Sequence, residues 1–271
     1  MKSLANQKIA ILGCGNIGYA IAKGLIESKV VKKKNLILTR RNKEAISNLS
    51  GAGFNVTDNN KKAVENSDIV ILTVTPQQAD KILEEIKEVL NPKKHVVFSV
   101  VSGLEISAIK NKVGEKIPVV RVMPNTAIAI GESMTCLSTQ KNDNGYLKIA
   151  GELFDNLGKT LVIKEELMVA ATVLGACGIA FFLRAIRAAS QGGIEIGFHA
   201  EEALFIAAQT AKGAASILLN NHSHPEREVD KVTTPQGCTI AGLNEMEHNG
   251  FSSSLIKGIV TSAEKCAKLS K

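Results

Sequence analysis

The sequence predicts an α/β N-terminal part built on a parallel sheet, followed by an all-helical C-terminal part. Three observations carry this prediction. Strand-like and helix-like runs alternate over the first ~160 residues, as in a βαβ sheet. A glycine-rich segment, Gly13-Cys14-Gly15-Asn16-Ile17-Gly18, follows the first strand-like run at once and opens a helix. After Lys164 the strand signals fade, and long Ala-rich stretches with helical period replace them. The domain boundary is therefore placed at 163/164, giving domains 1–163 and 164–271.

Each element has its own signal. Lys8 to Leu12 is a buried first strand, and a helical pattern runs from Asn16 to Glu27. Leu36 to Thr39 is a second strand and Phe54 to Val56 a third. Asp68 to Val74 is a strong fourth, because an unbroken β-branched run suits a parallel strand covered on both faces. Pro76 opens a helix over 77–90, since proline fits the first turn. His95 to Val100 and Ile117 to Val122 are the fifth and sixth strands, and Ser133 to Ser138 and Thr160 to Ile163 extend the sheet at its edge. Helical stretches then run over 165–189, 200–220 and from Thr239 onward, interrupted at Gly192-Gly193 and at His222-Ser223-His224-Pro225. Their richness in Ala, Gly and Ile suits close packing on another helical layer, either within the domain or in an oligomer.

The glycine segment is in the context of a Rossmann dinucleotide-binding domain. Gly13 permits the tight turn, Gly15 lets backbone approach a pyrophosphate, and Gly18 lets the helix lie close to the strand. The helix N-terminus, from Asn16 and Ile17 on, offers free N–H groups and positive dipole to phosphates. The end of the second strand distinguishes the nucleotides. It reads Thr39-Arg40-Arg41-Asn42, without the carboxylate that would bind a ribose 2′-hydroxyl. Thr39 is a hydrogen-bond donor, and the two guanidiniums suit a 2′-phosphate. NADP(H) is favoured, with NAD(H) possible.

Composition bounds the remaining choices. The 271 residues are 45% hydrophobic and 22% charged, as in an ordinary globular chain, and the net charge is +7. Because the basic residues are scattered and aromatics are only 4%, a phosphate-bearing cofactor or a small acidic substrate fits better than nucleic acid. Five cysteines without a CxxC pair fit a reducing compartment. MKSLANQK lacks an apolar signal core, and no window holds ~18 uninterrupted apolar residues. A cytoplasmic protein without a membrane span is the expectation. His222-x-His224 has no Cys or carboxylate at ligand spacing, so no metal is expected. His199 reads as a helix start, His95 as a surface residue, Lys32 to Lys34 as a solvated loop, and Cys177 and Cys238 as small packing residues.

Four passages together resemble the pyrroline-5-carboxylate reductase family over nearly the whole chain. They are the ILGCGNIGYAIAKGL opening, Thr73-Val74-Thr75-Pro76, Val122-Met123-Pro124-Asn125-Thr126, and the segment from Val232 to Leu243, VTTPQGCTIAGL. The resemblance implies a Rossmann domain and a helical dimerisation domain, in homodimers that often assemble further into decamers. It implies reduction of the cyclic imine Δ1-pyrroline-5-carboxylate to L-proline with NAD(P)H, the last step of proline synthesis.

By family position, Asn60 touches the adenine-side ribose, and Thr73, Val74, Thr75, Pro76, Ser102 and Met123 line the cofactor cleft. Asn125 and Thr126 orient substrate or nicotinamide, or simply form a turn. Thr234, Gly237, Cys238 and Thr239 hold the substrate carboxylate, with Thr233-Thr234-Pro235 as helix cap and first turn and free N–H groups at Gly237, Cys238 and Thr239. Thr239 is the candidate catalytic residue, as a hydroxyl donor, and Cys177 belongs to the substrate set.

The sequence also departs from the family. Thr75 stands where a lysine is usual. Ala176-Cys177-Gly178-Ile179-Ala180-Phe181 replaces GSGPAY, and Gln236 replaces a glycine. Arg187 and Gln191 fall where acidic residues are frequent, and Ala127 follows MPNT in place of proline. These changes keep open a related NAD(P)-dependent imine or β-hydroxy acid reductase, or a non-catalytic NADP-binding regulator.

Overall fold

The structure is a computed structural model that describes residues 4–269. The first three residues of MKSLANQK and the last two of the chain lie outside the described residues. An eight-stranded sheet organises the N-terminal part, in the order β3-β2-β1-β4-β5-β6-β7-β8. The strands are β1 (Ile9–Leu12), β2 (Leu36–Thr39), β3 (Asn55–Thr57), β4 (Ile69–Leu72), β5 (Val96–Ser99), β6 (Val119–Met123), β7 (Ser133–Thr139) and β8 (Gly158–Val162). All neighbours are parallel except β6 and β7, which run antiparallel. Six helices accompany them: α1 (Asn16–Glu27), α2 (Lys43–Gly51), α3 (Asn60–Glu65), α4 (Pro76–Ile86), α5 (Ile106–Val113) and α6 (Gly145–Phe154).

The alternation of side chains along the strands explains why these runs are apolar throughout. Ile9, Ile11, Ile69, Ile71 and Phe98 face one way, into a cluster with Ile21 and Leu25 of α1 and Leu153 and Phe154 of α6. Ala10, Leu12, Val70, Leu72 and Val97 face the other way, against Leu83 and Ile86 of α4 and Ile106 and Ile109 of α5. A strand covered on both faces has no polar side to show. Strand order reverses between β1 and β4, and the carboxyl ends there form the crevice in which such sheets bind ligands.

His95, read from sequence as a surface residue, is buried at the turn before β5, where its Nδ1 accepts from the Asn91 N–H at 2.9 Å. Lys33 of the Lys32–Lys34 loop is more than a solvated charge: its Nζ lies 4.6 Å from the centre of the Phe54 ring. A buried ion pair, Lys110 Nζ to Asp143 Oδ2 at 2.7 Å, ties α5 to the turn before α6.

After β8 come α7 (Met168–Ala171), a π-helical segment (Thr172–Cys177) and α8 (Gly178–Glu195). Then follow α9 (Ala200–Asn221), α10 (Pro225–Val232), α11 (Cys238–His248) and α12 (Phe251–Leu269). Gly192-Gly193 lies inside α8 and does not interrupt it; a Cβ on Gly193 would sit 3.0 Å from that of Ala203, so Gly193 lets α8 and α9 approach. The break between α8 and α9 falls a few residues later, at Gly197 with φ of 113°, and a further break at Gly250, with φ of 76°, separates α11 from α12.

The described residues up to Cys177, with those from Ala263 on, form one compact unit, and Gly178–Ser262 form a second. Packing carries the first unit past the last strand. Met168 is buried against Met123 and Cys136, and Glu165 Oε1 accepts from Arg121 Nη1 at 3.1 Å and from the Ile106 N–H at 2.8 Å.

The helical run Glu165–Glu195, 31 residues, is long and apolar enough to cross a membrane by length and composition. The expectation of no such window rested on an unbroken apolar stretch, which Arg184 and Arg187 prevent.

Candidate active site

The first unit holds a cleft of about 670 Å³ at the carboxyl ends of β1, β2, β3 and β4. That is within the range of small-molecule and cofactor pockets. Of the residues expected to bind the cofactor, Gly13, Gly15, Thr39, Arg40, Arg41, Asn60, Thr73, Val74 and Thr75 line it.

The glycine loop is built as the motif requires. Gly13 has φ of 85°, and a Cβ there would lie 2.1 Å from Val74 Cγ1. A Cβ on Gly18 would lie 2.7 Å from Thr73 Oγ1 and 3.2 Å from Ile11 Cγ2, so only glycine lets α1 descend onto β1 and β4. Gly15 is the N-cap of α1 with no side-chain hydrogen bond, which leaves the first N–H groups of the helix available to an anion.

Thr39 is buried, and its Oγ1 accepts from the Gly13 N–H at 3.1 Å while its carbonyl accepts from the Cys14 N–H at 2.8 Å. Its acceptor role is spent shaping the glycine loop. Arg40 donates from Nη1 to the Cys14 carbonyl, directly above Gly15. Arg41 is exposed at the cleft. Burial pushes the Cys14 thiol up to about 11, and the Arg40 charge opposes that shift only in part, so Cys14 remains a protonated packing group. Asn60 opens α3, nine-tenths buried, and donates from Nδ2 to Glu85 Oε2 at 2.9 Å.

Other expected residues lie elsewhere. Asn16 is exposed and Ile17 packs on the core cluster beneath α1. Pro76 is the first residue of α4, after Thr75 as its N-cap. Ser102 is exposed in the turn after β5. Met123 is buried with Cys136 and Met168 and turns away from the cleft. Asn125 is buried and spent on structure: its Oδ1 accepts from the Ala127 N–H, and its Nδ2 donates to the Gly175 carbonyl. Thr126 beside it is exposed.

Asn42, Asp58, Gln77, Gln78, Lys81 and Glu85, to which sequence reasoning assigns no role, also line the cleft. Gln77, Gln78, Lys81 and Glu85 share one face of α4, and helical spacing from Pro76 was the available clue.

In the second unit, the helix expected from Thr239 begins one residue earlier, at Cys238, and its N-cap is Gly237 rather than a residue of Thr233-Thr234-Pro235. The Gly237 N–H donates to the Thr234 carbonyl at 2.9 Å and is not free. No side chain caps α11, so the N–H groups of Cys238 and Thr239 and the Thr239 hydroxyl are the donors left. Cys177 and Cys238 are exposed rather than packed. His224 caps α10 by accepting from the Glu226 N–H. Among the described residues, no group of three or more His, Cys, Asp and Glu is placed to hold a metal.

Known proteins resemble this chain from end to end. A relative in Dictyostelium discoideum called pyrroline-5-carboxylate reductase 2 is 48% identical over 97% of this chain and 93% of its own length. This chain belongs to the pyrroline-5-carboxylate reductase family. Pyrroline-5-carboxylate reductase 1 of the same organism is 54% identical over 98% of this chain, which spans half of that relative's length. The family model for pyrroline-5-carboxylate reductase dimerisation matches residues 165–269, and that for NADP oxidoreductase coenzyme F420-dependent matches 8–103. Among solved structures, the pyrroline carboxylate reductase of Plasmodium falciparum with NADP bound has a TM-score of 0.89 at 26% identity, covering 99% of this chain and 100% of that one. The enzyme of Coxiella burnetii has a TM-score of 0.90 at 25% identity, covering 98% and 99%.

Proposed function

We infer that this chain reduces L-Δ1-pyrroline-5-carboxylate to L-proline with NADPH, the last step of proline biosynthesis. The observation that carries this reading is the match to a named reductase along nearly the full length of both chains. The cleft supports the cofactor. Gly13 and Gly15 line the cleft beside the uncapped start of α1, which suits a pyrophosphate, and the paired cations Arg40 and Arg41 stand where a 2′-phosphate calls for them.

When bound, the dinucleotide supplies a hydride to the imine carbon. The chain's own part is to bind and orient. The uncapped start of α11 offers the Cys238 and Thr239 N–H groups and the Thr239 hydroxyl to the substrate carboxylate, with Thr234 and Gly237 shaping the turn. A cyclic imine that enters protonated needs no further acid, so proximity and orientation supply most of the acceleration. Asn125 serves as a brace for the loop bearing Thr126.

Residues 164–271 form the dimerisation and substrate-binding half in this reading. Phe182, Leu183, Leu204 and Phe205, exposed on the single chain, are the face a second copy covers in a homodimer, and the apolar Glu165–Glu195 run serves that face rather than a membrane. Dimers assembling into decamers in the cytoplasm complete the proposal.

The test is loss of NADPH absorbance with L-Δ1-pyrroline-5-carboxylate, beside NADH and beside Thr239→Ala. Turnover faster with NADPH and crippled by the substitution supports the reading. Tight NADPH binding without turnover overturns it.

A further inference from the structure

We propose that Glu85 is a positioning residue for the dinucleotide: it locks the Asn60 side chain so that only the amide oxygen faces the cleft, where it accepts the 3′-hydroxyl of the adenosine ribose. This rests on the reading that the cleft takes NADP(H).

The local sequence places Asn60 with little freedom. Asn59 caps α3, its Oδ1 accepting from the Lys62 N–H at 2.9 Å, so Asn60 is the first helical residue and its backbone is fixed. Its side chain is nine-tenths buried at the wall of the cleft, and Glu85, on the last turns of α4, meets it at 2.9 Å. A carboxylate only accepts hydrogen bonds, so the amide must turn its NH2 group to Glu85, and chemistry alone assigns the orientation. The amide oxygen is then left over. It has no partner among the described residues, and it is not among the side-chain oxygens sealed from solvent. It opens on the cleft that Asn60 lines.

An oxygen in that position selects its ligand. It repels phosphate, which is acceptor-only, and the charge of Glu85, which lines the cleft beside it, adds to that repulsion. It attracts a hydroxyl donor. In NADP the 2′-oxygen of the adenosine ribose is esterified, so the 3′-hydroxyl is the one donor that ring retains. The 2′-phosphate is thereby directed away from α3 and α4, toward Arg40 and Arg41. Without Glu85 the amide turns freely, and its NH2 group competes for the same place.

The experiment measures NADPH dissociation constants for the full chain by fluorescence titration, with wild type, Glu85→Ala and Glu85→Gln. Each is run against NADPH and against its analogue lacking the adenosine 3′-hydroxyl. Glu85→Ala is expected to weaken NADPH about tenfold, the worth of one oriented hydrogen bond in a half-buried site. Its KM for NADPH rises while kcat moves far less. Glu85→Gln, whose side-chain oxygen still accepts from Asn60, stays within about twofold of wild type. The analogue binds wild type about tenfold more weakly, and Glu85→Ala adds no further loss.

Wild-type affinity for Glu85→Ala, equal losses for both ligands, or failure of Glu85→Gln to rescue overturns the proposal. If Glu85→Ala does not fold, the wild-type comparison decides, because indifference to the 3′-hydroxyl overturns the proposal equally. Failure of wild type to bind NADPH at all overturns the cofactor reading together with it.

Discussion

The side-chain amide of Asn125 donates to the Gly175 carbonyl across 3.0 Å, joining the loop after β6 to the π-helical segment that precedes α8. The same side chain accepts from the Ala127 N–H at 3.0 Å, and the Asn125 N–H donates to Ser133 Oγ at 3.1 Å. A residue that sequence assigns to the substrate thus acts as a joint between the strand end and the stretch in which Ala176-Cys177-Gly178 departs from the family pattern. A π-helical turn has an extra residue to accommodate, and an anchored carbonyl at Gly175 is one way to hold it.

Asn125→Asp removes the donor and sets a negative charge beside the Gly175 carbonyl. Unfolding in urea is expected to show a loss of about 1–3 kcal/mol, the cost of a buried polar group without its partner. An unchanged midpoint would show that the loop and the π-helical segment are held by packing alone.

Arg41 is exposed at the cleft, while Arg40 is engaged with the Cys14 carbonyl. Removing Arg41 takes away a cation and little else. Arg41→Ala is expected to raise KM for NADPH about tenfold and leave KM for NADH within about twofold, as befits one charge-assisted contact to a 2′-phosphate. Arg40→Ala should weaken both cofactors, because the glycine loop loses a support as well. Steady-state kinetics with the two nucleotides distinguishes these outcomes.

Gln236 has φ of 61°, a left-handed conformation that favours glycine, at the place where the family resemblance puts one. Gln236→Gly is expected to raise stability modestly, by up to about 1 kcal/mol, by relieving that strain. Gly237→Ala acts in the opposite sense: a Cβ there meets Thr234 Oγ1 at 2.5 Å and the Thr234 carbonyl oxygen at 2.9 Å. It should displace the start of α11 and raise the substrate KM. Thermal melts and substrate titrations of the two variants check both directions.

His95 is held below its ordinary value of 6.5, first by burial and then by the neighbouring Lys94 charge. The unfolded chain therefore takes up the proton first as pH falls. Stability from the neutral imidazole is present above about 6.5 and lost below it, as Nδ1 is forced to give up the Asn91 N–H. Melting temperature measured from about pH 7 to about pH 5 should fall more steeply for wild type than for His95→Gln, which has no proton to gain. Parallel curves would assign the acid sensitivity to other groups.

Much of this protein was determined locally. Alternating apolar runs, Gly13 to Gly18 and the missing carboxylate after Thr39 are short-range signals, and β1, β2 and α1 follow them almost residue for residue. Arg40 and Arg41 are legible for the same reason, since they sit on the strand end next to the motif.

Only the tertiary structure decided what depends on partners far along the chain. Glu85 is an ordinary helix residue until the packing of α3 and α4 brings it to Asn60, 25 positions away. Asn125 is a turn residue until the carbonyl of Gly175, 50 positions on, accepts a hydrogen bond from its side-chain amide. Thr234 looks like a cap until its carbonyl accepts the Gly237 N–H and moves the helix start to Cys238. Periodicity reports which face of an element is buried. The partner that a polar side chain finds there is set by packing between elements, which no local pattern records.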